Sequence, residues 1–524
     1  MAALTLTALL DHAAEQHGEN LALIASGGPH LTHRELHGAI EKAAAQLRRA
    51  GVKHGDLVSL AFPNTLEFVV VFIAVTRVRA IAAPLNAAYV EDEVKFYLED
   101  AGSTLLLVPG AEGNKAAEAA AAELNLPIAG VHWEKESGDV AIVPKSKIEL
   151  APELEDLAGP KPEDADEALF LHTSGTTSRP KGVPLTQGNL ASSIQHIKAW
   201  YELSPSDRTL IVMPLFHVHG LMAALLATLA AGGTAVLPAT GRFSASSFWK
   251  DIKANSVTWY TAVPTIHQIL LKVHKSHPEA EYPKLRFIRS CSSSLAPAVL
   301  EDLQESFKAP VLEAYAMTEA SHQMTSNPLP AHGPNKPGTV GKPTGIELAI
   351  LNDDGEIQKP GVVGEVSIRG PNVTKGYRNN PDANKTAFKF GWFHTGDRGF
   401  VDEDGYLTLT GRIKELINRG GEKISPLEVD AVLLSHPAVS EAVAFGAPDE
   451  HFGEEVNAGI VLNKGANATE KDIQEFCKKN LAPFKIPKRI FFADELPRTA
   501  TGKIQRRIVA EHFLKDASKE STSG

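Results

Sequence analysis

The chain has 524 residues, of which 43% are hydrophobic and 22% are charged. This length exceeds what one hydrophobic core usually holds, so we expect a soluble globular protein of two or more domains. The formal net charge of −11 argues against nucleic acid as the main partner. It does not argue against nucleotides, because a local nest of backbone N–H groups binds phosphate even in an acidic protein.

The cysteines and the ends of the sequence indicate a cellular location. Cys291 and Cys477 are the two cysteines, which excludes a disulfide framework and favours a reducing compartment. Met1 to Leu10 has no basic segment, and the last residues are not Ser-Lys-Leu, so a cytoplasmic location is expected. The uncharged run from Thr209 to Gly241 is broken by prolines and glycines, which predicts a buried strand, loop, helix and strand and not a membrane span.

The first 160 residues alternate strand-like and helix-like patterns. Thr32 followed by Glu35 has the spacing of a capping box at a helix start. Leu57 to Phe62 is predicted to be a strand, Glu67 to Val78 an apolar helix, and Ala117 to Glu123 a helix by alanine propensity. This alternation favours a parallel sheet and therefore an α/β fold.

A loop rich in hydroxyl groups follows the apolar run Ala168 to His172, which has the length of a strand. Glycine allows close backbone approach, consecutive N–H groups form an anion nest, and lysine adds positive charge. The loop does not have Walker A spacing, and its composition alone is more typical of an exposed turn. The candidate polyphosphate ligands are Thr173, Ser174, Gly175, Thr176, Thr177 and Lys181.

Histidines and aromatic residues follow in the middle of the chain. His217 and His219 come after a short apolar strand, and a lone histidine is more often structural, so we interpret His219 as structural. Val257 to Val263 is predicted to be a strand that ends at a helix start. Its residues Trp259 and Tyr260 are equally typical of a core and of a pocket wall.

A turn made of small polar residues follows another predicted strand. Leu285 to Leu295 is expected to be a strand that runs into Ser290-Cys291-Ser292-Ser293-Ser294. Serines narrow a cavity and supply hydroxyl donors, so a pocket lined by them suits a short charged acid. An ordinary serine-rich turn is the alternative.

Further motifs occupy the second half of the chain. They are Glu313 to Ala320, Gly391 to Asp397, Gly411 to Leu416, Asn418 to Pro426 and Pro497 to Ile504. Together with the hydroxyl-rich loop, they resemble the motifs of the acyl-adenylate-forming enzymes, which include acyl-CoA ligases, luciferases and peptide-synthetase adenylation domains. The resemblance covers nearly the whole chain, and it is strongest to plant acyl-activating enzymes that act as oxalate–CoA ligases.

The resemblance implies roles around ATP and Mg²⁺. Tyr315 would pack on adenine, Asp397 would accept both ribose hydroxyls and Glu319 would help to hold Mg²⁺, which suits the chemistry of these side chains. Thr318, Glu319 and Lys503 are the implied catalytic residues, with Lys503 a mobile charge at the carboxylate and the α-phosphate. The full implied ATP set beyond the phosphate loop is Glu313, Ala314, Tyr315, Thr318, Asp397, Arg412 and Lys503.

The resemblance also implies an acyl pocket. His217 matches a histidine that flanks this pocket in the family. Many relatives have glycine where Ala316 stands and Gly-Pro where Ser321-His322 stands, so this pocket is expected to be shorter and more polar. Ser292, His322 and His217 are therefore the candidate ligands of a second carboxylate on the acid.

The domain organisation follows from the same resemblance. It implies a large N-terminal α/β body of several subdomains with parallel sheets over residues 1–411, a hinge over 412–414 with Lys414 as pivot, and a small mobile α+β domain over 415–524. In the small domain, Gly420 and Gly421 would line the tunnel for the pantetheine arm of CoA.

The expected activity is ATP-dependent ligation of oxalate to CoA through oxalyl-AMP, with release of AMP and pyrophosphate. A CoA ligase for malonate or another short or medium acid is the nearest alternative. An adenylation partner of a carrier protein and a non-catalytic adenylate-binding protein are the alternatives from other classes. The expected partners are the acid, ATP, CoA and Mg²⁺, with no nucleic acid, no membrane and no obligate protein partner.

Overall fold

The computed structural model describes residues 4–110, 112–146, 148, 150–151, 159–173, 180–498 and 504–522, with residues 516–522 described by backbone alone. The predicted capping box is confirmed: the Glu35 amide donates to Thr32 Oγ1, and the Thr32 amide donates to the Glu35 carboxylate. The α-helices are α1 (Leu6–His17), α2 (His33–Arg49), α3 (Leu66–Arg77), α4 (Glu91–Ala101), α5 (Lys115–Glu123), α6 (Gln187–Trp200), α7 (Ala227–Ala230), α8 (Phe248–Ala254), α9 (Pro264–Ser276), α10 (Pro297–Phe307), α11 (Pro381–Ala387), α12 (Pro426–Leu434), α13 (Glu470–Asn480) and α14 (Arg506–Thr522).

Several strands coincide with predicted apolar runs, among them Leu57–Phe62 and Glu167–Thr173. The strands are β1 (Leu21–Ala25), β2 (His30–Thr32), β3 (Leu57–Phe62), β4 (Ile81–Asn86), β5 (Leu105–Pro109), β6 (Ile128–Glu134), β7 (Asp139–Ser146), β8 (Glu167–Thr173), β9 (Lys181–Thr186), β10 (Arg208–Leu210), β11 (Thr234–Leu237), β12 (Trp259–Ala262), β13 (Phe287–Ser290), β14 (Val311–Met317), β15 (His322–Ser326), β16 (Lys342–Pro343), β17 (Glu347–Leu351), β18 (Gly364–Arg369), β19 (Phe388–Lys389), β20 (Trp392–Val401), β21 (Leu407–Arg412), β22 (Ile417–Arg419), β23 (Glu422–Ile424), β24 (Val439–Asp449), β25 (Gly453–Leu462) and β26 (Arg489–Phe492).

Two large sheets with parallel centres form the N-terminal body, as the sequence predicts. One has the order β7-β6-β5-β3-β4-β8-β9, and the other has the order β16-β15-β14-β13-β12-β10-β11-β1-β2. Every residue of β3 and β4 is buried, because helices cover both faces of a parallel sheet. Antiparallel strands close the edges, among them β9 beside β8 and β15 beside β14.

The uncharged run from Thr209 to Gly241 folds inside the body in the predicted order. It supplies β10, a π-helix over His219–Leu226, α7 and β11. The π-helix and β11 are buried along their whole lengths. In the part of the chain that the structure describes, no helix is long and apolar enough to cross a membrane.

Two smaller sheets complete the fold. One has the antiparallel order β17-β18-β20-β19 with β21 beside β20, and it carries Asp397 and Arg412 on neighbouring strands. The other, β23-β22-β25-β24 with β26 beside β25, is covered by α12 and α13 and has its own apolar core. The C-terminal sheet therefore has the α+β character that the sequence predicts. The boundaries of the domains remain a prediction.

Candidate active site

The hydroxyl-rich loop connects two antiparallel strands at the edge of the first sheet. Thr173 ends β8 and pairs with Lys181 at the start of β9, so the predicted strand before the loop is confirmed. Ser174, Gly175, Thr176 and Thr177 lie outside the described residues. The buried Thr173 hydroxyl forms no hydrogen bond within the described part of the chain, and a buried polar group of this kind suits a polar ligand.

Lys181 and Glu319 meet at the ring of Tyr377. The Lys181 ammonium lies 4.0 Å from the centroid of the Tyr377 ring, and the Tyr377 hydroxyl donates to Glu319 Oε1 at 2.8 Å. Burial lowers the pKa of Lys181, and the charge of Glu319 opposes that shift. A cation and a carboxylate are thus held side by side next to the loop.

The donor set fits Mg²⁺ in the manner expected for a phosphate-bound ion. Glu319 is buried and accepts one hydrogen bond from Tyr377, so its carboxylate keeps lone pairs for a hard cation. Among the described residues, no group of three or more His, Cys, Asp or Glu side chains is placed to hold a metal ion. Mg²⁺ usually takes one or two protein carboxylates and completes its shell with phosphate oxygens and water, so one glutamate suffices.

Tyr315, Asp397 and Arg412 form a second group. The Tyr315 hydroxyl donates to Asp397 Oδ2, and Arg412 Nε lies 3.2 Å from Asp397 Oδ1. Burial, reinforced by the Asp397 charge, raises the pKa of Tyr315 well above its usual range. The Asp397 charge in turn raises the pKa of Arg412. The three residues predicted at the nucleoside are therefore in contact, although they come from different strands.

Three more residues predicted to bind ATP lie on β14 or directly after it. Glu313 is buried and accepts from the Gly338 amide at 3.0 Å, and burial raises the pKa of Glu313 to about 7. Ala314 is buried beside it, whereas Thr318 is half-buried and begins the short 3₁₀ turn that contains Glu319.

The candidate acyl ligands meet around a third histidine and an arginine. Ser292 Oγ lies 3.0 Å from His219 Nδ1, and the His219 ring stacks on the His322 ring with 5.2 Å between centroids. Arg289 Nη2 lies 3.0 Å from His322 Nε2, and Arg289 Nη1 donates to Thr261 Oγ1 at 3.0 Å. We call the five residues the acyl cluster: Thr261, His219, Arg289, Ser292 and His322.

The sheet register explains how this cluster forms. Thr261 on β12 pairs with Arg289 on β13, so their side chains lie on the same face. Ser292 follows the carboxyl end of β13. Ligand sites of open parallel sheets lie beyond these strand ends.

Three residues in or next to the acyl cluster adopt positive φ angles, which residues other than glycine rarely adopt. They are Ser292 at +72°, Ser321 at +48° and His322 at +90°. Ser193 Oγ donates to the Ser321 carbonyl at 2.6 Å, and Ser321 Oγ donates to the Asn372 carbonyl at 2.9 Å, which holds the second turn in place. Backbone strain of this kind clusters at functional sites, so these three residues remain candidates for a functional role.

The interpretation of His219 as structural stays a prediction, and the structure adds Arg289 to the residues of interest. His219 is fully buried within the acyl cluster, where it touches Ser292, a candidate ligand. Sequence reasoning passed over Arg289, although one signal was present: an arginine inside the apolar strand Phe287–Ser290 must find partners within the core. His217 Nδ1 accepts from the His219 amide at 3.1 Å, so His217 adjoins the cluster.

The aromatic residues of β12 belong to the core. Trp259 stacks near Phe287 with 5.1 Å between ring centroids, and Tyr260 packs edge-on against Phe248 at 5.0 Å. Both are fully buried. The predicted strand and the helix that follows it are confirmed as β12 and α9.

The C-terminal motifs lie at the junction with the small sheet. Lys414 is exposed in a short 3₁₀ turn directly after Arg412. Gly420 and Gly421 form the turn between β22 and β23, with φ of +58° and +94°, which is the geometry of a type I′ hairpin turn that glycine favours.

Lys503 lies outside the described residues, but the base of its loop is described. Arg498 forms a bridge with Ile504, the residue after Lys503. The Arg498 guanidinium donates to Thr265 Oγ1 at 2.9 Å and pairs with Glu441 at 2.7 Å. Thr265 lies at the start of α9, four residues after Thr261 of β12 in the sequence. The base of the Lys503 loop therefore contacts the N-terminal body at the start of α9.

The fold and these residue groups define an adenylate-forming enzyme, and sequence comparison agrees. The profile of the AMP-binding enzymes matches residues 10–378, and that of the AMP-binding enzyme C-terminal domain matches residues 428–503. The chain belongs to the AMP-binding enzyme family.

Its relatives include proteins of nearly the same length. An oxalate–CoA ligase of Arabidopsis thaliana is 61% identical over 97% of this chain and 99% of that protein, and an oxalate–CoA ligase of Saccharomyces cerevisiae is 47% identical over 89% and 88%. Among solved structures, ATP-bound MatB from Rhodopseudomonas palustris superposes with a TM-score of 0.85 at 28% identity over 97% of this chain and 99% of that chain. O-succinylbenzoate coenzyme A synthetase from Bacillus subtilis, solved with ATP and a magnesium ion, has a TM-score of 0.82 at 33% identity over 96% and 98%.

Proposed function

We propose that the protein is an ATP-dependent oxalate–CoA ligase that forms oxalyl-AMP and then oxalyl-CoA. The observation that carries the choice of acid is the acyl cluster, in which His219 and His322 contact the buried cation Arg289 and Ser292 contacts His219. A fatty or aromatic acyl group beside this cluster would offer no acceptor to its hydrogen-bond donors and no negative charge to the buried guanidinium. A second carboxylate would be stabilised by hydrogen bonds and by the nearby positive charge.

The described residues support a two-step reaction. Lys181, at the end of the hydroxyl-rich loop, would hold the phosphates of ATP, and Asp397 would accept hydrogen bonds from the ribose. Glu319 would hold Mg²⁺, which neutralises phosphate charge when it is bound. One oxalate carboxylate then attacks the α-phosphorus, and the bond to pyrophosphate breaks. Because no covalent enzyme intermediate is required, positioning and charge stabilisation carry the catalysis.

The second step needs the C-terminal part of the chain. The sulfur of CoA attacks the acyl carbon of oxalyl-AMP, the thiol proton leaves, and the bond to AMP breaks. We propose the domain boundaries 1–411, 412–414 and 415–524, with rotation at Lys414 exchanging Lys503 for the Gly420-Gly421 turn at the site. The exposed Lys414 and the turn geometry at Gly420 support this division. Hinge motions that complete a site for successive steps are well established.

An acid panel tests the proposed substrate. ATP–pyrophosphate exchange should be fastest with oxalate, slower with malonate, and near background with a cinnamate and a long-chain fatty acid. Fast exchange with the last two acids and none with oxalate would refute the proposal. Faster exchange with malonate than with oxalate would favour the nearest alternative instead.

The acceptor and the location have their own tests. AMP release that depends on CoA supports a ligase, whereas AMP release that requires a carrier protein supports an adenylation partner.

A cytoplasmic location is part of the proposal, because Cys291 and Cys477 are both free thiols. Fractionation of cells that express the full chain should recover it with cytoplasmic markers, and recovery with organelles would contradict this.

A further inference from the structure

Arg289 is a buried cation whose contacts are all with neutral groups. Its side chain is fully buried, and its Nε donates to the Tyr201 hydroxyl at 2.8 Å. Its Nη2 donates to Gln323 Oε1 at 2.7 Å. Across the described ranges, no carboxylate forms an ion pair with it. A charge that is buried without a counter-charge is costly, so it demands a functional reason.

The guanidinium also determines where the proton sits on His322. Arginine is a donor without acceptor capacity. Because Arg289 Nη2 lies 3.0 Å from His322 Nε2, that nitrogen must present a lone pair. The ring proton of His322 is then on Nδ1. Burial, followed by the Arg289 charge, lowers the pKa of His322 well below its usual range, which keeps the ring neutral.

A second chain of contacts runs from Arg289 to Ser292. Arg289 Nη1 donates to Thr261 Oγ1, and Thr261 Oγ1 lies 2.6 Å from His219 Nε2. Arg289 Nη1 also lies 3.5 Å from the same nitrogen of His219. A proton on Nε2 would place two N–H donors against each other, so Nε2 accepts and Nδ1 is protonated.

The orientation of the serine follows from that tautomer. His219 Nδ1 donates to Ser292 Oγ at 3.0 Å. The oxygen of Ser292 is thereby used as an acceptor, and its hydroxyl hydrogen is left to donate elsewhere. Two chains of contacts therefore begin at Arg289, and each ends in a hydrogen-bond donor. One runs through Thr261 and His219 to the Ser292 hydroxyl, and the other runs directly to His322, whose Nδ1–H is the donor.

We infer that Arg289 is a positioning residue that orients the hydrogen bonds of the acyl cluster, so that Ser292 and His322 face the acid as donors and select a second carboxylate. This inference rests on the proposed function and deepens it. Its consequence is a specific form of selectivity. A cluster of donors favours an acceptor-only carboxylate and rejects an isosteric group that carries its own N–H donors.

Oxamate is the probe for this selectivity, because it replaces one carboxylate oxygen of oxalate with an NH₂ group and so brings its own N–H donors, with one negative charge less. The variants of Thr261 and Tyr201 described below keep the charge of Arg289, so they separate donor orientation from charge. In the wild-type enzyme, kcat/KM for ATP–pyrophosphate exchange should be at least tenfold higher with oxalate than with oxamate. In Arg289→Gln, the imidazoles and the serine are free to take other orientations, and this ratio should fall at least tenfold. A loss of activity that leaves the ratio unchanged would show a merely structural role for Arg289.

Two milder variants keep the test decisive if Arg289→Gln does not fold. Thr261→Val preserves shape but breaks the chain to Ser292, so it should lower the oxalate-to-oxamate ratio in part. Tyr201→Phe removes another hydrogen bond of Arg289 that lies outside both chains, and it should leave the ratio at the wild-type value. Equal ratios in Thr261→Val and Tyr201→Phe would overturn the inference.

A spectroscopic measurement separates this inference from the substrate assignment. In the full-length enzyme labelled with ¹⁵N at the histidine rings, His219 and His322 should show protonated Nδ1 and unprotonated Nε2 without any acid present. His219→Gln and His322→Gln provide the resonance assignments. Nε2-protonated rings in the wild type would overturn the role of Arg289, even if oxalate is the substrate. The expected tautomers together with no exchange on oxalate would overturn only the proposed function.

Discussion

The imidazole rings of His219 and His322 are stacked, with 5.2 Å between centroids and 25° between ring planes. One ring begins the buried π-helix and the other begins β15, so two distant segments build one surface. Arg289 approaches the Nε2 atoms of both rings, at 3.5 Å and 3.0 Å. Two neutral rings beside a buried cation form a polar group of side chains, with which an apolar acyl chain would make no hydrogen bonds.

His322→Ala should weaken the use of oxalate selectively. The variant removes a hydrogen bond to a charged group, worth about 1.5–3 kcal/mol, so kcat/KM for oxalate should fall roughly 10- to 100-fold. Exchange with acetate, which has no second carboxylate, should change far less. The exposed histidine His332, which pairs with Glu202 at 2.7 Å, offers the control His332→Ala. If the oxalate-to-acetate preference of His322→Ala equals that of the wild type, His322 does not bind the second carboxylate.

Ser292→Gly and Ser292→Ala should separate strain from function. Both variants lose the hydroxyl and should lose activity with oxalate, but the left-handed φ of +72° disfavours alanine and suits glycine. The free energy of unfolding, measured with urea, should therefore be about 1 kcal/mol higher for the glycine variant than for the alanine variant. A glycine variant that is less stable than the alanine variant would contradict the presence of strain at this turn.

Acid should destabilise the fold through buried histidines. Burial lowers the pKa of His267 to about 4 and lowers that of His219 well below its usual range. The unfolded chain binds these protons near pH 6.5 and the folded chain does not, so stability is complete above that pH and is lost as the pH falls toward 4. Each such histidine adds a slope of about 1.4 kcal/mol per pH unit in this window.

Urea unfolding at pH 7.5, 6.0 and 5.0 measures that slope. His267→Gln should reduce it by about 1.4 kcal/mol per pH unit, because glutamine does not titrate. The exposed control His332→Gln should keep the wild-type slope. The same slope in His267→Gln and in the wild type would exclude His267 as a source of the acid sensitivity.

Asp397→Asn should impair binding of ATP. Asp397 accepts from Tyr315 and pairs with Arg412 at 3.2 Å, and an asparagine NH₂ would oppose these donors and remove one acceptor for the ribose. The KM for ATP in pyrophosphate exchange should rise about tenfold or more, since a hydrogen bond to a charged group is worth about 1.5–3 kcal/mol. Asp402→Asn, which removes one of the two carboxylate partners of Lys336, should leave this KM unchanged. An unaltered KM in Asp397→Asn would remove Asp397 from the ribose site.

Local patterns were sufficient to predict several of the N-terminal elements. The capping box at Thr32, the strand Leu57–Phe62 and the buried run that contains the π-helix agree with the structure. These signals depend on residues that are near one another in the chain, where capping and periodicity act. Tyr315 and Asp397 belong to motifs that the sequence identifies as candidates for binding the nucleoside. Their hydrogen bond joins segments far apart in the chain, so the sequence did not predict it.

The sequence by itself was sufficient to predict the family and the α/β class, because these depend on motifs and on short local patterns. The polar character of the acid site stays a prediction from the types of residue in short turns. Tertiary structure alone decided that His219 contacts Ser292 and that Arg289 lies beside both imidazole rings. The alignment of Thr261 with Arg289 depends on which strands pair and in which register, and a buried polar contact between distant segments leaves no periodic trace in the chain. Tertiary structure also decided which atoms donate in the hydrogen bonds of His219 and His322. The Nε2 atom of each imidazole faces the Arg289 guanidinium, which can only donate.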